Sequence, residues 1–278
     1  MKIATLVIAC TGNIEPIRKT ILSVVDFKDR LSLIIKSTSE AYRDALEVAR
    51  EFPSLDIKVV GGSDSGIYDA WYQSSKIVTT EFILFAGVGD IFNHSGLDKI
   101  LSVALKLTGL PVAVIYGGLQ LVSPAGKVLE IHNKSIFQHI TTWSGVRRSC
   151  PVTPEALINT KDAINILPKI KHLSIAGDVW LFILLYRDKN FFHINETIVN
   201  MEDGGRSTWP SNAMVVYNET LALSAYLEEN IPIVVKFKFY LICITRFYIS
   251  KFFGNTNSNI FFDFVRTKFG RKKRYSVK

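Results

Sequence analysis

Along its first ninety residues the chain alternates short apolar runs with stretches whose apolar positions recur at helical spacing. Residues 3–9, 31–35, 55–60 and 82–86 are almost wholly apolar runs of strand length. Between them Ile17, Ile21, Leu22 and Val25 repeat at three- and four-residue intervals, and residues 39–52 and 67–78 carry similar patterns. Asn13 predicts the cap of the first helix with Pro16 in its opening turn, Ser39 the cap of the second, and Pro53 its stop. Strands that read as apolar throughout and are separated by helices belong to a mostly parallel sheet covered on both faces. In such sheets ligands bind beyond the carboxyl ends of the strands, so the loops after Ala9, Ile35, Val60 and Ala86 are where chemistry is expected.

The second half has a different rhythm. Residues 111–117, 119–122 and 128–132 predict strands, with the Ser123–Lys127 turn before the last. Residues 178–187 predict a helix, 191–194 and 198–201 short strands, and 211–228 a helix. Residues 231–253 are apolar and aromatic, but Lys236, Lys238, Arg246 and Lys251 interrupt them, so no charge-free run approaches the ~20 residues of a spanning helix. At about 100° per residue those charges do not gather on one face, which makes a simple amphipathic helix imperfect.

Composition places the chain among folded globular proteins, with 48% hydrophobic and 21% charged residues in 278. The net charge of +8 is concentrated: 11 of the 33 Lys and Arg, and one of the 25 acids (Asp263), lie beyond residue 230. The first 230 residues are close to neutral, which argues against a nucleic-acid footprint on the folded body. Three distant cysteines (Cys10, Cys150, Cys243) without a CxxC pair predict free thiols and a cytoplasmic setting, not a disulfide or zinc framework. Ile8-Ala9-Cys10 is similar to a lipoprotein cleavage site, but its seven-residue apolar run is short for a secretory segment and reads as the first strand. The five histidines show no metal-ligand spacing. A dinucleotide-binding Gly-x-Gly-x-x-Gly is missing after the first strand, where Cys10-Thr11-Gly12-Asn13 stands.

Two acidic segments fall at the predicted ligand edge: Asp64-Ser65-Gly66-Ile67-Tyr68-Asp69-Ala70 and Phe85-Ala86-Gly87-Val88-Gly89-Asp90. Carboxylates there can hold a hard divalent cation and through it a diphosphate, or bond a ribose or base edge. Taken singly, each also reads as a helix or turn cap. Together they resemble the family 2 glycosyltransferases, of GT-A fold. Gly66–Ala70 matches the start of that family's "GIYDAMNKG" signature, and Gly89-Asp90-Ile91-Phe92 stands where the family has two acids before an aromatic. Ala176-Gly177-Asp178-Val179-Trp180-Leu181 is similar to the "aaDydlll" segment, Gly204-Gly205-Arg206-Ser207 to the "GGvS" loop, and Tyr116-Gly117 to a "YGD" strand end. The resemblance runs from about residue 3 to 207.

It implies an α/β protein of GT-A type, with a mostly parallel central sheet flanked by helices. Residues 1–230 would form the transferase domain (1–120 the nucleotide-sugar half, 121–230 the acceptor half), and 231–278 a basic, aromatic-rich helical appendage. A nucleoside-diphosphate sugar would be held by Ala9, Thr11, Ser37, Gly66, Asp69, Gly89, Asp90 and Arg206. Asp90 would bind Mn²⁺ or Mg²⁺, and Asp178 would be the general base of an inverting transfer. In surface-polysaccharide synthesis (O-antigen, capsule or exopolysaccharide) the acceptor would be a saccharide, often lipid-linked. The basic tail suits the inner face of an anionic membrane, or packs on the protein or on a second copy.

Three departures are visible. Ser37 stands where the family has Asp after the second strand, Gly89 replaces one of the paired acids, and Pro154-Glu155-Ala156 occupies the place of "HQ". A non-catalytic nucleotide-sugar-binding protein on the same fold is the alternative that these losses motivate.

Overall fold

A computed structural model describes residues 1–133 and 150–270. The Arg147-Arg148 pair, His139 and the basic run from Arg271 to Arg274 lie outside the described residues. The described chain forms two compact units by internal packing. The first comprises Met1–Leu121, Glu130–Leu173 and Gly177–Met201, the second Val122–Leu129, Ser174–Ala176 and Glu202–Lys278.

The first unit is built on the sheet. Its apolar runs become β1 (Ala4–Cys10), β2 (Leu31–Ser37), β3 (Ile57–Val60) and β4 (Phe82–Gly87). Between and after them lie α1 (Ile14–Leu22), α2 (Tyr42–Arg50), α3 (Ile67–Ser75), β5 (Ile91–Phe92) and α4 (His94–Leu107). The chain continues through β6 (Val112–Val122), β7 (Val128–His132), β8 (Ala156–Asn159), α5 (Thr160–Ile170), α6 (Gly177–Asp188) and β9 (Asn190–Glu202). The strand order is β3-β2-β1-β4-β8-β6-β9-β5, with β7 paired to β6. The β3-β2-β1-β4 half is parallel, whereas β8 runs antiparallel to both β4 and β6. Leu6, Ile8, Leu33, Ile35, Leu84 and Ala86 from alternating strand positions form the centre of the core with Ile17 and Ile21 of α1.

Several local expectations shift. Ser39 does not cap α2, which starts three residues later behind Ala41 without a side-chain cap. Asn13 does precede α1, but with φ 69° and no capping bond from its side chain. The strand pair expected across 111–122 is one continuous strand, β6, and the pair expected at 191–201 is the single strand β9. The helix α4 falls on residues to which the apolar pattern assigns no element. Its cap is Asn93, whose Oδ1 accepts from Gly96 N at 3.3 Å.

The second unit is largely helical. It holds α7 (Ala213–Tyr226) and α8 (Ile233–Lys268), preceded by short 3₁₀ turns at Arg206–Thr208 and Pro210–Asn212. Gly254 divides α8, with φ 73° and ψ 168°, a conformation essentially confined to glycine. Its second arm folds back on the first, so that Arg246 lies over the Phe262 ring at 5.6 Å. Among the described residues no helix is long and apolar enough to cross a membrane.

Candidate donor site at the carboxyl edge of the parallel strands

Strand register fixes the level at which the loops leave the sheet. Ala9 on β1 is opposite both Lys36 on β2 and Gly87 on β4, and Lys36 is opposite Val60 on β3. One row across four strands therefore ends together, and the next residues are the predicted site loops. Thr11 is exposed just beyond β1, Ser37 is the last residue of β2, and Gly66 precedes α3.

The loop after β3 is tied down by a residue that the acidic motifs do not include. Lys36 is buried to 1% exposure, and its Nζ donates to Gly62 O at 2.6 Å and Ser37 O at 3.2 Å. The same ammonium lies 3.5 Å from Asp64 Oδ2, and Asp64 Oδ1 accepts from Gly66 N at 3.2 Å. A buried ammonium requires such acceptors, because desolvation without them is costly. The visible signal is a Lys near the end of an otherwise apolar strand, Leu31-Ser32-Leu33-Ile34-Ile35-Lys36. Asp69, one turn into α3, is also engaged: its Oδ2 accepts from Ser65 N at 3.0 Å and Gln73 Nε2 at 3.1 Å. Ser37 differs from both, since its hydroxyl is buried and finds no partner among the described residues.

Asp90 closes the turn after β4. Its Oδ2 accepts from Gly87 N at 2.7 Å, and Gly89 of the same turn, with φ 91°, donates its N–H to Thr20 Oγ1 of α1 at 3.0 Å. Burial pushes the Asp90 carboxyl up to about 7, partly offset by the Gly87 N–H. Among the described residues no group of three or more His, Cys, Asp or Glu side chains gathers to hold a metal ion. Asp90 thus provides one hard oxygen donor, which fits a divalent cation whose other ligands are phosphate oxygens of a bound donor.

Asp178 lies in the first turn of α6, half-buried, with Oδ1 accepting from Val179 N at 2.8 Å. It is inside the helix and not its cap. Gly177 seats this helix start on α3: a Cβ there would fall 2.7 Å from the Tyr68 ring, which is buried and packs edge-on to Trp71. The Asp178 carboxylate also faces Cys150, whose thiol is raised by burial first and by Asp178 second, so it stays protonated. Sequence reading gave no role to Glu219, yet it fixes the segment just before this helix. Its carboxylate accepts from Ser174 N at 2.6 Å, Ile175 N at 3.1 Å and Ala176 N at 2.7 Å. Glu155, in the turn before β8, is buried, with Oε1 accepting from Val152 N at 2.8 Å and no partner for Oε2 among the described residues; burial pushes it up to about 8.

The first unit therefore carries Ala9, Thr11, Ser37, Gly66, Asp69, Gly89, Asp90 and Asp178. Arg206 belongs to the second, exposed in its 3₁₀ turn, where its backbone carbonyl accepts from Asn212 Nδ2 at 2.8 Å.

No protein-family model matches the chain, and no curated protein matches its sequence. Solved structures do share its fold. S. aureus TarS 1–349 superimposes with a TM-score of 0.60 at 16% identity, over 91% of this chain and 74% of that one. The same protein in complex with UDP-GlcNAc gives 0.58 at 16% identity over 92% and 74%. Mannosyltransferase PcManGT from Pyrobaculum calidifontis, in complex with GDP-Man and Mn²⁺, gives 0.57 at 11% identity over 95% and 79%. At these identities the likeness speaks to architecture, and the architecture is the GT-A fold.

Proposed function

We propose that the protein is an inverting glycosyltransferase. It would move a sugar from a nucleoside-diphosphate sugar to a hydroxyl of a saccharide acceptor, lipid-linked and at the inner face of the plasma membrane, in surface-polysaccharide assembly. The observation that carries this reading is the common level of Ala9, Lys36, Val60 and Gly87, which delivers Thr11, Ser37, the 61–69 loop and Asp90 to one edge of the sheet. TarS with UDP-GlcNAc and PcManGT with GDP-Man are proteins of this architecture that bind such donors.

In this reading Asp69, already fixed by Ser65 and Gln73, presents its other oxygen to the nucleoside, and Ser37, buried at the end of β2, lies beneath the ligand and not in contact with it. Lys36 holds the loop in place and puts a fixed positive charge at the edge where phosphates arrive. Asp90 would supply one ligand to Mn²⁺ or Mg²⁺, which when bound would offset charge on the diphosphate leaving group. Asp178 accepts the proton of the acceptor hydroxyl as its oxygen bonds to the anomeric carbon. The anomeric bond to the diphosphate breaks, its electron pair leaves with the diphosphate, and one displacement inverts the configuration.

The test is a thermal-shift screen of UDP, GDP, CDP and dTDP sugars with and without Mn²⁺ or Mg²⁺. One nucleotide class should raise the melting temperature, with a metal-dependent increment that Asp90→Ala removes. If no donor shifts the wild-type protein, the donor site is refuted. If a donor binds but Asp178→Asn leaves function intact, the non-catalytic reading stands; the single carboxylate at Asp90 is what favours that second reading.

A further inference from the structure

The second unit shows an apolar surface that the folded chain leaves open. The first arm of α8 buries Cys243 and Ser250 on one side, packing against α7 and the Pro210–Asn212 turn. Val234, Phe237, Leu241, Tyr248 and Phe252 all project elsewhere and are exposed, Phe237 to 61% and Phe252 to 78%. At the helical repeat these five fall within an arc of about 60°, roughly opposite Cys243 and Ser250. Lys238 and Lys251, both exposed, lie about 40° outside that arc, one on either side. The helix is therefore apolar on two opposed faces, one packed and one open. That is why its charges scatter when the sequence is read for a single polar side.

The second arm adds Ile260, Phe261 and Phe264, each exposed. Between the arms is a cleft of about 410 Å³ lined by Leu241, Ile242, Phe262 and Val265 together with Arg246 and Arg266. The one acid among residues 231–268, Asp263, is buried, with Arg266 Nε 3.9 Å from its carboxylate.

We propose that this face of α8 docks on an anionic phospholipid bilayer. The stripe enters the headgroup boundary, and Lys238 and Lys251 reach outward to lipid phosphates. Charge selects this occupant. A second copy of the chain would bring lysine-flanked stripes together with no exposed acid on α8 to pair with them, whereas an anionic surface is complementary along the whole stripe. The assignment rests on the lipid-linked acceptor reading for its purpose, but not for its evidence.

The test uses the full chain with sedimented vesicles of phosphatidylcholine alone, or with about one third phosphatidylglycerol. Two paired variants accompany it: Phe237→Ser with Phe252→Ser, and Lys238→Gln with Lys251→Gln. The wild type should pellet with the anionic vesicles and not with the neutral ones. Each pair should lower partitioning by about tenfold or more, since one lysine near such a surface is worth roughly fivefold. Donor-induced thermal shifts should be the same in all three proteins, which separates this result from the fate of the glycosyltransferase reading. Equal binding to both vesicle types, unchanged binding by the variants, or a soluble dimer broken by Phe237→Ser with Phe252→Ser would each overturn the proposal.

Discussion

Lysine occupies opposite settings in the two units. At the edge of the parallel strands, Lys36 is enclosed and bonded to two carbonyls beside Asp64. On α8, Lys238 and Lys251 are exposed beside an apolar stripe. The first setting is a built polar site, in which Lys36, Asp64, Asp69 and Asp90 are each held by a protein group before any ligand arrives. The second is a surface whose apolar groups are unmet, so its order is completed from outside. Substitutions at the edge should therefore register in the isolated protein, and those on the helix only when a partner surface is supplied.

The sharpest form of this contrast is Asp178→Asn. The carboxylate is half-buried at the start of α6, and losing one proton acceptor costs about 10²–10⁴-fold in rate when the group acts as general base. Turnover of the donor sugar, measured with and without acceptor, should fall by that amount. The melting temperature and the donor-induced shift should not move, since amide and carboxylate are of equal size. A decline of less than about tenfold would take proton transfer away from Asp178.

Next in size is Lys36→Met. Removing the ammonium leaves Gly62 O and the Asp64 carboxylate facing an apolar side chain, and breaking a buried pair in this way costs roughly 3 kcal/mol. Urea unfolding should show that loss, along with a weakened donor-induced shift, because the 61–66 loop is no longer tied to β2. The matched change Lys251→Met, on an exposed helix position, should stay within about 0.5 kcal/mol in the same assay. Equal effects at the two positions would erase the distinction between the units.

The same division explains what could be read in advance. The parallel half was legible because β1, β2 and β4 are largely apolar runs buried on both faces, while β3 at the edge is shorter and half-exposed. The strand β6 reads as two pieces because Gly117 and Gly118 interrupt it, and their reason is tertiary: a Cβ on Gly117 would fall 2.6 Å from Glu196 O, and one on Gly118 2.8 Å from His132 O. Asp69, Asp90 and Asp178 could be named because acids at a sheet edge or helix start leave a motif. Lys36 leaves only the weaker signal of a lysine at the end of an apolar strand, and Glu219 leaves none, since its role lies in the main-chain N–H groups of a segment distant in sequence. On α8 the sequence gives apolarity and charge, but only the packed side tells which apolar face remains open.

The remaining contrast is one of pH and concerns the two buried acids, which solve the same problem differently. Asp263 on α8 has an arginine beside it, whereas Glu155, in the turn before β8, is raised to about 8 by burial. An unfolded glutamate titrates near 4.3. Between those values the folded protein keeps a proton that the unfolded chain has released, so stability falls as pH rises, by at most about 1.4 kcal/mol per pH unit, and levels off above about 8. Glu155→Gln keeps the acceptor for Val152 N and has nothing to titrate. The variant should match the wild type in urea midpoint at pH 5 and exceed it at pH 9. Parallel profiles would mean that Glu155 is already ionised in the fold, and that the edge of the sheet tolerates an unpaired buried charge as readily as α8 tolerates its paired one.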